Sequence, residues 1–215
     1  MNIKIIPTIT AEESRKYAEE ITKLAFAPKL HIDIADGIFA PNKTVNFAQV
    51  YTNIGQNFDL HLMVEDPAKF FHEIVSLAPE TVIFHAENFA NNSDKFSEVH
   101  DFLAKFGIKS GVAILPKSAP ENFAKIIENA DEILIFGGHL GFQGGQADLK
   151  NLAKIHEIRE LNPSAEISWD GGANEENIRE IVAAGVEKIN VGSAISRAKN
   201  PEEEYEKLVK IVNAA

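Results

Sequence analysis

Short runs of β-branched and aliphatic residues alternate with amphipathic stretches from one end of the chain to the other. A short apolar run bounded by glycine, proline or polar residues is typical of a strand, especially one buried on both faces of a parallel sheet. Eight such runs predict strands over Ile3–Thr8, Leu30–Ile34, Phe58–Val64, Thr81–His85, Lys109–Leu115, Glu132–Phe136, Glu166–Asp170 and Lys188–Gly192.

Most of the gaps between these strands carry apolar residues at helical spacing. Asp66-Pro67 is a start signal, and Gly107 and Gly185 are stop signals. The stretch between Asn42 and Asn57 has the weakest helical pattern. The predicted helices cover Glu12–Ala25, Ala68–Leu77, Asp94–Phe106, Glu121–Asn129, Leu149–Leu161, Glu175–Ala184 and Glu202–Val212.

Eight β/α units within 215 residues predict an α/β fold, a closed (β/α)8 TIM barrel that forms a single domain over residues 1–215. A doubly wound open sheet is the alternative. Barrel enzymes carry their functional groups at the carboxyl ends of the strands. Candidate chemistry is therefore expected at those ends.

Composition and charge narrow the function classes. The formal net charge is −11 and the basic residues are scattered, so no basic stripe indicates a nucleic-acid partner. The chain has no cysteine, which excludes disulfides and thiolate metal ligands and favours the cytoplasm. The start of the chain is too short for a signal peptide, and no apolar run approaches the roughly 20 residues of a membrane span. We expect neither a nucleic-acid partner nor a membrane.

A histidine and a carboxylate share one face of the second predicted strand. Alternation turns His31 and Asp33 the same way, with Cα atoms roughly 6.6 Å apart, while Ile32 and Ile34 face an apolar layer. Imidazole nitrogen and carboxylate oxygen are suitable ligands for a divalent cation. A hydrogen-bonded structural pair is the alternative explanation.

Three later strands place similar groups at the same end of the predicted barrel. His61 shares a face with Met63 on the third strand, Asp170 ends the seventh strand, and His85 ends the fourth and is predicted to face inward. His61 alone could be a core histidine, and Asp170 before two glycines could be a turn residue. Together with His31 and Asp33, they predict a site for one divalent metal ion, Zn²⁺, Fe²⁺, Mn²⁺ or Co²⁺.

Glycine-rich segments follow the last three strands, at Gly141–Gln146, Gly171-Gly172 and Gly192-Ser193. Glycine allows backbone N–H groups to approach an oxyanion closely, and this part of a barrel commonly binds phosphate. Each pair alone could be a simple turn. Their occurrence at adjacent barrel positions favours a phosphate site.

The chain resembles the ribulose-phosphate 3-epimerase family over nearly its whole length. The motifs that carry the resemblance are Pro7-Thr8-Ile9, His31-Ile32-Asp33, Asp36-Gly37-Ile38-Phe39-Ala40-Pro41-Asn42, His61-Leu62-Met63-Val64-Glu65-Asp66-Pro67, Phe84-His85-Ala86-Glu87, Gly111-Val112-Ala113-Ile114, the Gly141–Gln146 loop, Asp170-Gly171-Gly172 and Gly192-Ser193-Ala194-Ile195. The resemblance implies a TIM barrel of the ribulose-phosphate-binding type. It also implies a cytoplasmic, metal-dependent isomerase of the pentose phosphate pathway that inverts carbon 3 of ribulose 5-phosphate to give xylulose 5-phosphate.

The resemblance also implies roles for individual residues. His31, Asp33, His61 and Asp170 would bind the metal, and Asp33 and Asp170 would transfer protons through a metal-stabilised enediolate. The small-molecule partner would be a sugar phosphate, and since the family forms dimers and hexamers we expect a homo-oligomer. The implied substrate-binding residues are Thr8, His61, Met63, Gly141, Phe142, Gly144, Gly145, Gly171, Gly172, Gly192 and Ser193.

The chain departs from the family pattern around the substrate. Ala35 replaces a methionine that usually caps the reacting carbons with Met63 and a third methionine, whose position falls near Phe136. The loop after the sixth strand lacks its usual proline and has one inserted residue. Because Ala35 leaves room for a longer sugar, an epimerase of allulose 6-phosphate is one alternative.

Two further readings lie outside that reaction. A degenerate, non-catalytic sugar-phosphate-binding barrel is disfavoured because simple binding does not require two opposed carboxylates. Related barrels that decarboxylate nucleotides, or condense formaldehyde with pentose phosphates, typically carry Asp-x-Lys-x-x-Asp on a strand. This chain has no lysine in the corresponding stretch from His31 to Asp36.

Overall fold

The computed structural model describes residues 3–214, and its eight strands are all parallel and close into one barrel in chain order. The first strand pairs with both the second and the eighth, so the closed barrel is confirmed and the open-sheet alternative is wrong. The strands are β1 (Lys4–Ile9), β2 (Lys29–Ala35), β3 (Asn57–Met63), β4 (Thr81–His85), β5 (Lys109–Ile114), β6 (Glu132–Phe136), β7 (Glu166–Asp170) and β8 (Lys188–Val191).

The first six helices lie in the connections between strands, and the last two follow β8. They are α1 (Ser14–Lys23), α2 (Phe71–Leu77), α3 (Asp94–Ala104), α4 (Ala124–Ile127), α5 (Lys154–Leu161), α6 (Ile178–Ala183), α7 (Ser193–Ser196) and α8 (Pro201–Asn213). The β2–β3 connection, which has the weakest helical pattern, contains only the 3-10 helix Phe47–Gln49. Among the described residues, no helix is both long enough and apolar enough to span a bilayer.

Three predicted helices begin with a 3-10 segment rather than an α-helical turn: Pro67–Phe70, Pro120–Phe123 and Leu149–Ala153. In the first of them the Asp66 side chain accepts a hydrogen bond from the N–H of Ala68, and a proline follows the cap. Turns of 3-10 helix are frequent at the N-termini of α-helices. The helical pattern alone does not distinguish a 3-10 turn from an α-helical turn. The α-helical part of each of these connections is therefore shorter than the predicted helix.

The outward face of the barrel forms the main apolar core. Ile32, Ile34, Leu60 and Leu62 are buried between strands and helices, as alternation predicts. Each such side chain contributes about 1.5–3 kcal/mol on burial. Trp169 is also fully buried on this face.

The amino end of the barrel interior holds a buried ion cluster. The ammonium of Lys188 lies 2.9 Å from Oδ2 of Asp59 and also contacts Glu132, while Lys29 lies 2.9 Å from the other Asp59 oxygen. Burial would lower the pKa of Lys188, but the carboxylates of Glu132 and Asp59 outweigh it and raise that pKa. These charges are paired with each other.

Candidate active site

Four side chains converge at the carboxyl end of the barrel. His31 and Asp33 point inward from β2, His61 from the adjacent strand β3 and Asp170 from the end of β7. Register places Asp33 directly beside His61. One ligand atom from each of the four lies within 4.8 Å of the others. The structure therefore brings together all four predicted metal ligands.

The donor set fits a divalent transition metal. Both ring nitrogens of His31 are buried and have no hydrogen-bond partner among the described residues, although Nε2 lies 3.4 Å from Oδ1 of Asp33. Unpaired buried polar atoms are costly, and two imidazoles with two carboxylates match the ligand preferences of Zn²⁺, Fe²⁺, Mn²⁺ and Co²⁺. The four side chains could hold one such ion.

Contacts on both ring nitrogens fix the orientation of His61. Its Nδ1 lies 3.1 Å from Oδ1 of Asp33 and 3.8 Å from Oδ2 of Asp170, whereas its Nε2 lies 3.0 Å from Nε2 of His85. The inward orientation predicted for His85 is confirmed. Its other nitrogen faces Glu87 at 3.6 Å, and Glu87 accepts a hydrogen bond from the backbone of Leu115. With its Nε2 directed at His85, His61 turns Nδ1 toward the cluster.

The two carboxylates have opposite acid–base tendencies. Burial alone would raise the pKa of Asp33, but the neighbouring imidazoles of His31 and His61 outweigh it and hold that pKa well below its usual range. Thr10 also donates to Oδ2 of Asp33 at 2.5 Å. Burial and the neighbouring Asp33 charge raise the pKa of Asp170 to about 6. Divergent pKa values in adjacent carboxyl groups are typical of an acid and a base.

A cleft runs from these carboxylates to the glycine-rich loops. His31 and His61 lie beneath it with 0% exposure, so His61, expected to touch substrate, lies behind the cleft surface. Phe142 is exposed at its mouth. The other predicted site residues all line the cleft: Thr8, Asp33, Met63, Gly141, Phe142, Gly144, Gly145, Asp170, Gly171, Gly172, Gly192 and Ser193.

The glycines after β7 are required by close packing of backbone on backbone. A Cβ on Gly171 would lie 2.2 Å from the nitrogen of Gly138, and one on Gly172 would lie 2.3 Å from the nitrogen of Ala147. Both have positive φ, 120° and 67°. The expectation that these glycines serve a turn is therefore partly correct. They also let the loops after β6 and β7 meet along the cleft wall.

Several residues of the cleft were not singled out by sequence analysis. Gln143 in the altered β6 loop donates from Nε2 to the carbonyl of Thr8 at 3.0 Å, and its side chain lies over Gly192. Asn190 projects into the cleft from β8, and Phe136, near the position expected for the third methionine of the cap, also lines it. The signal for Asn190 was available: it alternates with the outward-facing Ile189 and Val191.

Comparison with known proteins agrees with this geometry. The sequence profile described as "Ribulose-phosphate 3 epimerase family" matches residues 4–196. The chain is 32% identical over 208 residues to a protein of Helicobacter pylori (strain ATCC 700392 / 26695) named ribulose-phosphate 3-epimerase, covering 92% of this chain and 93% of that protein. It is 29% identical to the protein of that name from Aquifex aeolicus (strain VF5), covering 98% and 97% of the two chains.

Similarity to solved structures supports the observed fold. A crystal structure of 3-hexulose-6-phosphate synthase from Salmonella typhimurium superposes with a TM-score of 0.73 at 14% identity, covering 98% of each chain. At that identity the match supports the barrel architecture alone. The profile match and the curated relatives go further, and the chain belongs to the ribulose-phosphate 3-epimerase family of isomerases, which act on ketose phosphates.

Proposed function

We propose that this protein inverts carbon 3 of D-ribulose 5-phosphate to give D-xylulose 5-phosphate. The observation that carries the proposal is the pair of buried carboxylates, Asp33 and Asp170, on two strands of one cluster and with pKa values pushed apart. Inversion beside a carbonyl requires a proton to leave one face of the carbon and another to arrive on the opposite face. Two carboxyl groups in different protonation states can perform those two transfers.

Asp33 acts as the base toward ribulose 5-phosphate, and Asp170 delivers the proton that completes the inversion. The low pKa of Asp33 keeps it ionised and able to accept a proton, while Asp170, whose pKa is raised, holds a proton more readily than Asp33 does. In the reverse direction the two residues exchange roles. The hydrogen bond from Thr10 keeps the Asp33 carboxylate oriented toward the cleft.

His31, Asp33, His61 and Asp170 would hold the metal ion, which is Zn²⁺, Fe²⁺, Mn²⁺ or Co²⁺. The ion supplies Lewis-acid stabilisation of the negative charge that develops on the substrate's carbonyl oxygen when carbon 3 loses its proton. His85 supports His61 from behind and keeps its Nδ1 directed into the cluster.

The glycine-rich end of the cleft binds the phosphate. This end is lined by small residues, which leave most of the local backbone uncovered: Gly144, Gly172, Gly192 and Ser193. Backbone N–H groups bind an oxyanion without requiring a basic side chain, which suits a chain of net charge −11. Anchoring the phosphate positions carbon 3 between the two carboxylates.

A five-carbon substrate is favoured by the packing around Ala35. The space beside this small residue is lined by Ala40 and Met63, with Phe39 and Leu140 packed against them. These neighbours fill space that would be open to a longer sugar if alanine simply replaced methionine at position 35. Location in the cytoplasm and assembly as a homo-oligomer stay predictions.

Proton NMR in deuterium oxide tests the function. Metal-loaded protein and ribulose 5-phosphate should yield deuterium at carbon 3 and a growing xylulose 5-phosphate signal, and both should vanish in Asp33→Asn. Asp36→Asn is the matched control, since Asp36 accepts backbone hydrogen bonds from Ile38, Phe39 and Glu65 outside the cleft lining. Turnover of allulose 6-phosphate in place of ribulose 5-phosphate would overturn the substrate assignment. Absence of exchange with every ketose phosphate tried would overturn the enzyme itself.

A further inference from the structure

Asn190 carries a buried amide for which the described residues supply no partner. It is only 1% exposed, and neither its Oδ1 nor its Nδ2 makes a hydrogen bond to any other residue among those described. The amide lines the same cleft as the two carboxylates. Buried polar groups in native proteins are nearly always paired, so an unpaired amide facing a cleft indicates a ligand that completes it.

The position of Asn190 on β8 defines which part of a substrate it meets. Register places Asn190 directly beside Asp170 of β7, and its neighbour on the other side is the apolar Ile6 of β1. Two residues further along the same strand direction lies Gly192, at the phosphate end of the cleft. The amide therefore stands between the proton-transferring carboxylate and the phosphate site.

We propose that Asn190 is a specificity-determining residue that binds the hydroxyl on carbon 4 of the ketose phosphate, an inference that rests on the function proposed above. Carbon 4 is the atom between the inverted carbon 3 and the carbon that carries the phosphate, matching the place of Asn190 between Asp170 and Gly192. An amide can both donate to and accept from a hydroxyl. A substrate without that hydroxyl leaves the amide unpaired in the cleft, which is how a polar site rejects such analogues.

Kinetics of the wild type and one variant on two substrates test the contact between Asn190 and the carbon 4 hydroxyl. Asn190→Val retains a residue suited to a buried strand and removes both polar atoms. The kcat/KM of wild type and variant is measured on ribulose 5-phosphate and on its 4-deoxy analogue. We expect the variant to lose about 10- to 100-fold on ribulose 5-phosphate and to match the wild type on the 4-deoxy analogue.

Thermal stability separates this role from a structural one. Because the amide has no partner within residues 3–214, Asn190→Val should raise the melting temperature of the free protein, by about 2–4 °C. Asn162→Ala is the matched control: its buried amide donates to the carbonyls of Ile127 and Ala130, so this variant should melt lower while keeping the wild-type kcat/KM.

Each outcome has a defined meaning. Equal losses on the two substrates, or no loss on ribulose 5-phosphate, would overturn the assignment of Asn190 while leaving the epimerase intact. A lower melting temperature for Asn190→Val would also overturn it, by showing that the amide supports the fold. Wild-type protein that converts neither substrate would overturn the proposed function, and with it the role of Asn190.

Discussion

Replacing His85 with phenylalanine should weaken metal binding without removing a single predicted ligand. His85 is fully buried and its Nε2 lies 3.0 Å from Nε2 of His61. Burial lowers the pKa of His85 to about 4, so its ring is neutral near pH 7 and its Nε2 can accept a hydrogen bond. With Nδ1 of His61 turned to the metal cluster, the His61 Nε2–H donates to His85.

The magnitude follows from the hydrogen bond that is lost. His85→Phe leaves the Nε2–H of His61 buried and unpaired, at a cost of about 1–3 kcal/mol. Loss of a partner that orients a metal-bound histidine typically lowers affinity about 10- to 100-fold, which corresponds to about 1.4–2.7 kcal/mol. The two estimates agree, so we expect the Kd for Zn²⁺ or Co²⁺ to rise about 10- to 100-fold.

Isothermal titration of metal-free protein with each ion measures the effect. His85→Gln is expected to restore part of the affinity, because its amide oxygen can accept the same hydrogen bond. His100→Phe is the matched control, since His100 contacts Ser110 on the outer side of the barrel. Unchanged metal affinity in His85→Phe would refute the reasoning, as would an equal loss in His100→Phe.

Three further substitutions test other parts of the account. Thr10→Val removes the donor to Asp33 Oδ2, so kcat on ribulose 5-phosphate should fall about tenfold at saturating metal; unchanged kcat would show that the contact is dispensable. Gly172→Ala places a Cβ 2.3 Å from the nitrogen of Ala147 at a φ of 67°, so calorimetry should show a lower melting temperature and kinetics a higher KM. Asp59→Asn should lower the free energy of unfolding in urea by about 3–5 kcal/mol at pH 7. Lysine partners hold the pKa of Asp59 below its usual value against the opposing effect of burial, so its contribution is complete above about pH 4 and is lost as pH falls through the lowered pKa. If the difference in the free energy of unfolding between wild type and Asp59→Asn stayed constant down to pH 2, this pH dependence would be contradicted.

The barrel and the four-residue cluster could be predicted because both depend on short patterns. Alternation within β2 and β3 is enough to turn His31, Asp33 and His61 inward, and closure of the barrel then brings in Asp170. Family motifs extend the same reasoning to the glycine loops. The apolar face that carries Trp169 follows from the same alternation.

The remaining features depend on contacts between distant parts of the chain. Glu87 reaches His85 from a 3-10 helix whose position no local pattern indicates. Asn190 is one polar residue in a short apolar run, and alternation indicates only that it faces inward. Its importance emerges from its register beside Asp170 and from the lack of a partner among the described residues. The placement of Gln143 over Gly192 depends on how an altered loop folds back onto β1 and β8.

Exchange measurements on single carboxylate variants test the central claim, that Asp33 and Asp170 serve opposite faces of carbon 3. At saturating metal in deuterium oxide, Asp170→Asn should incorporate deuterium into ribulose 5-phosphate without converting it. Asp33→Asn should incorporate deuterium only into xylulose 5-phosphate. Exchange of both epimers by the same variant, or conversion that persists in both variants, would contradict the two-carboxylate mechanism.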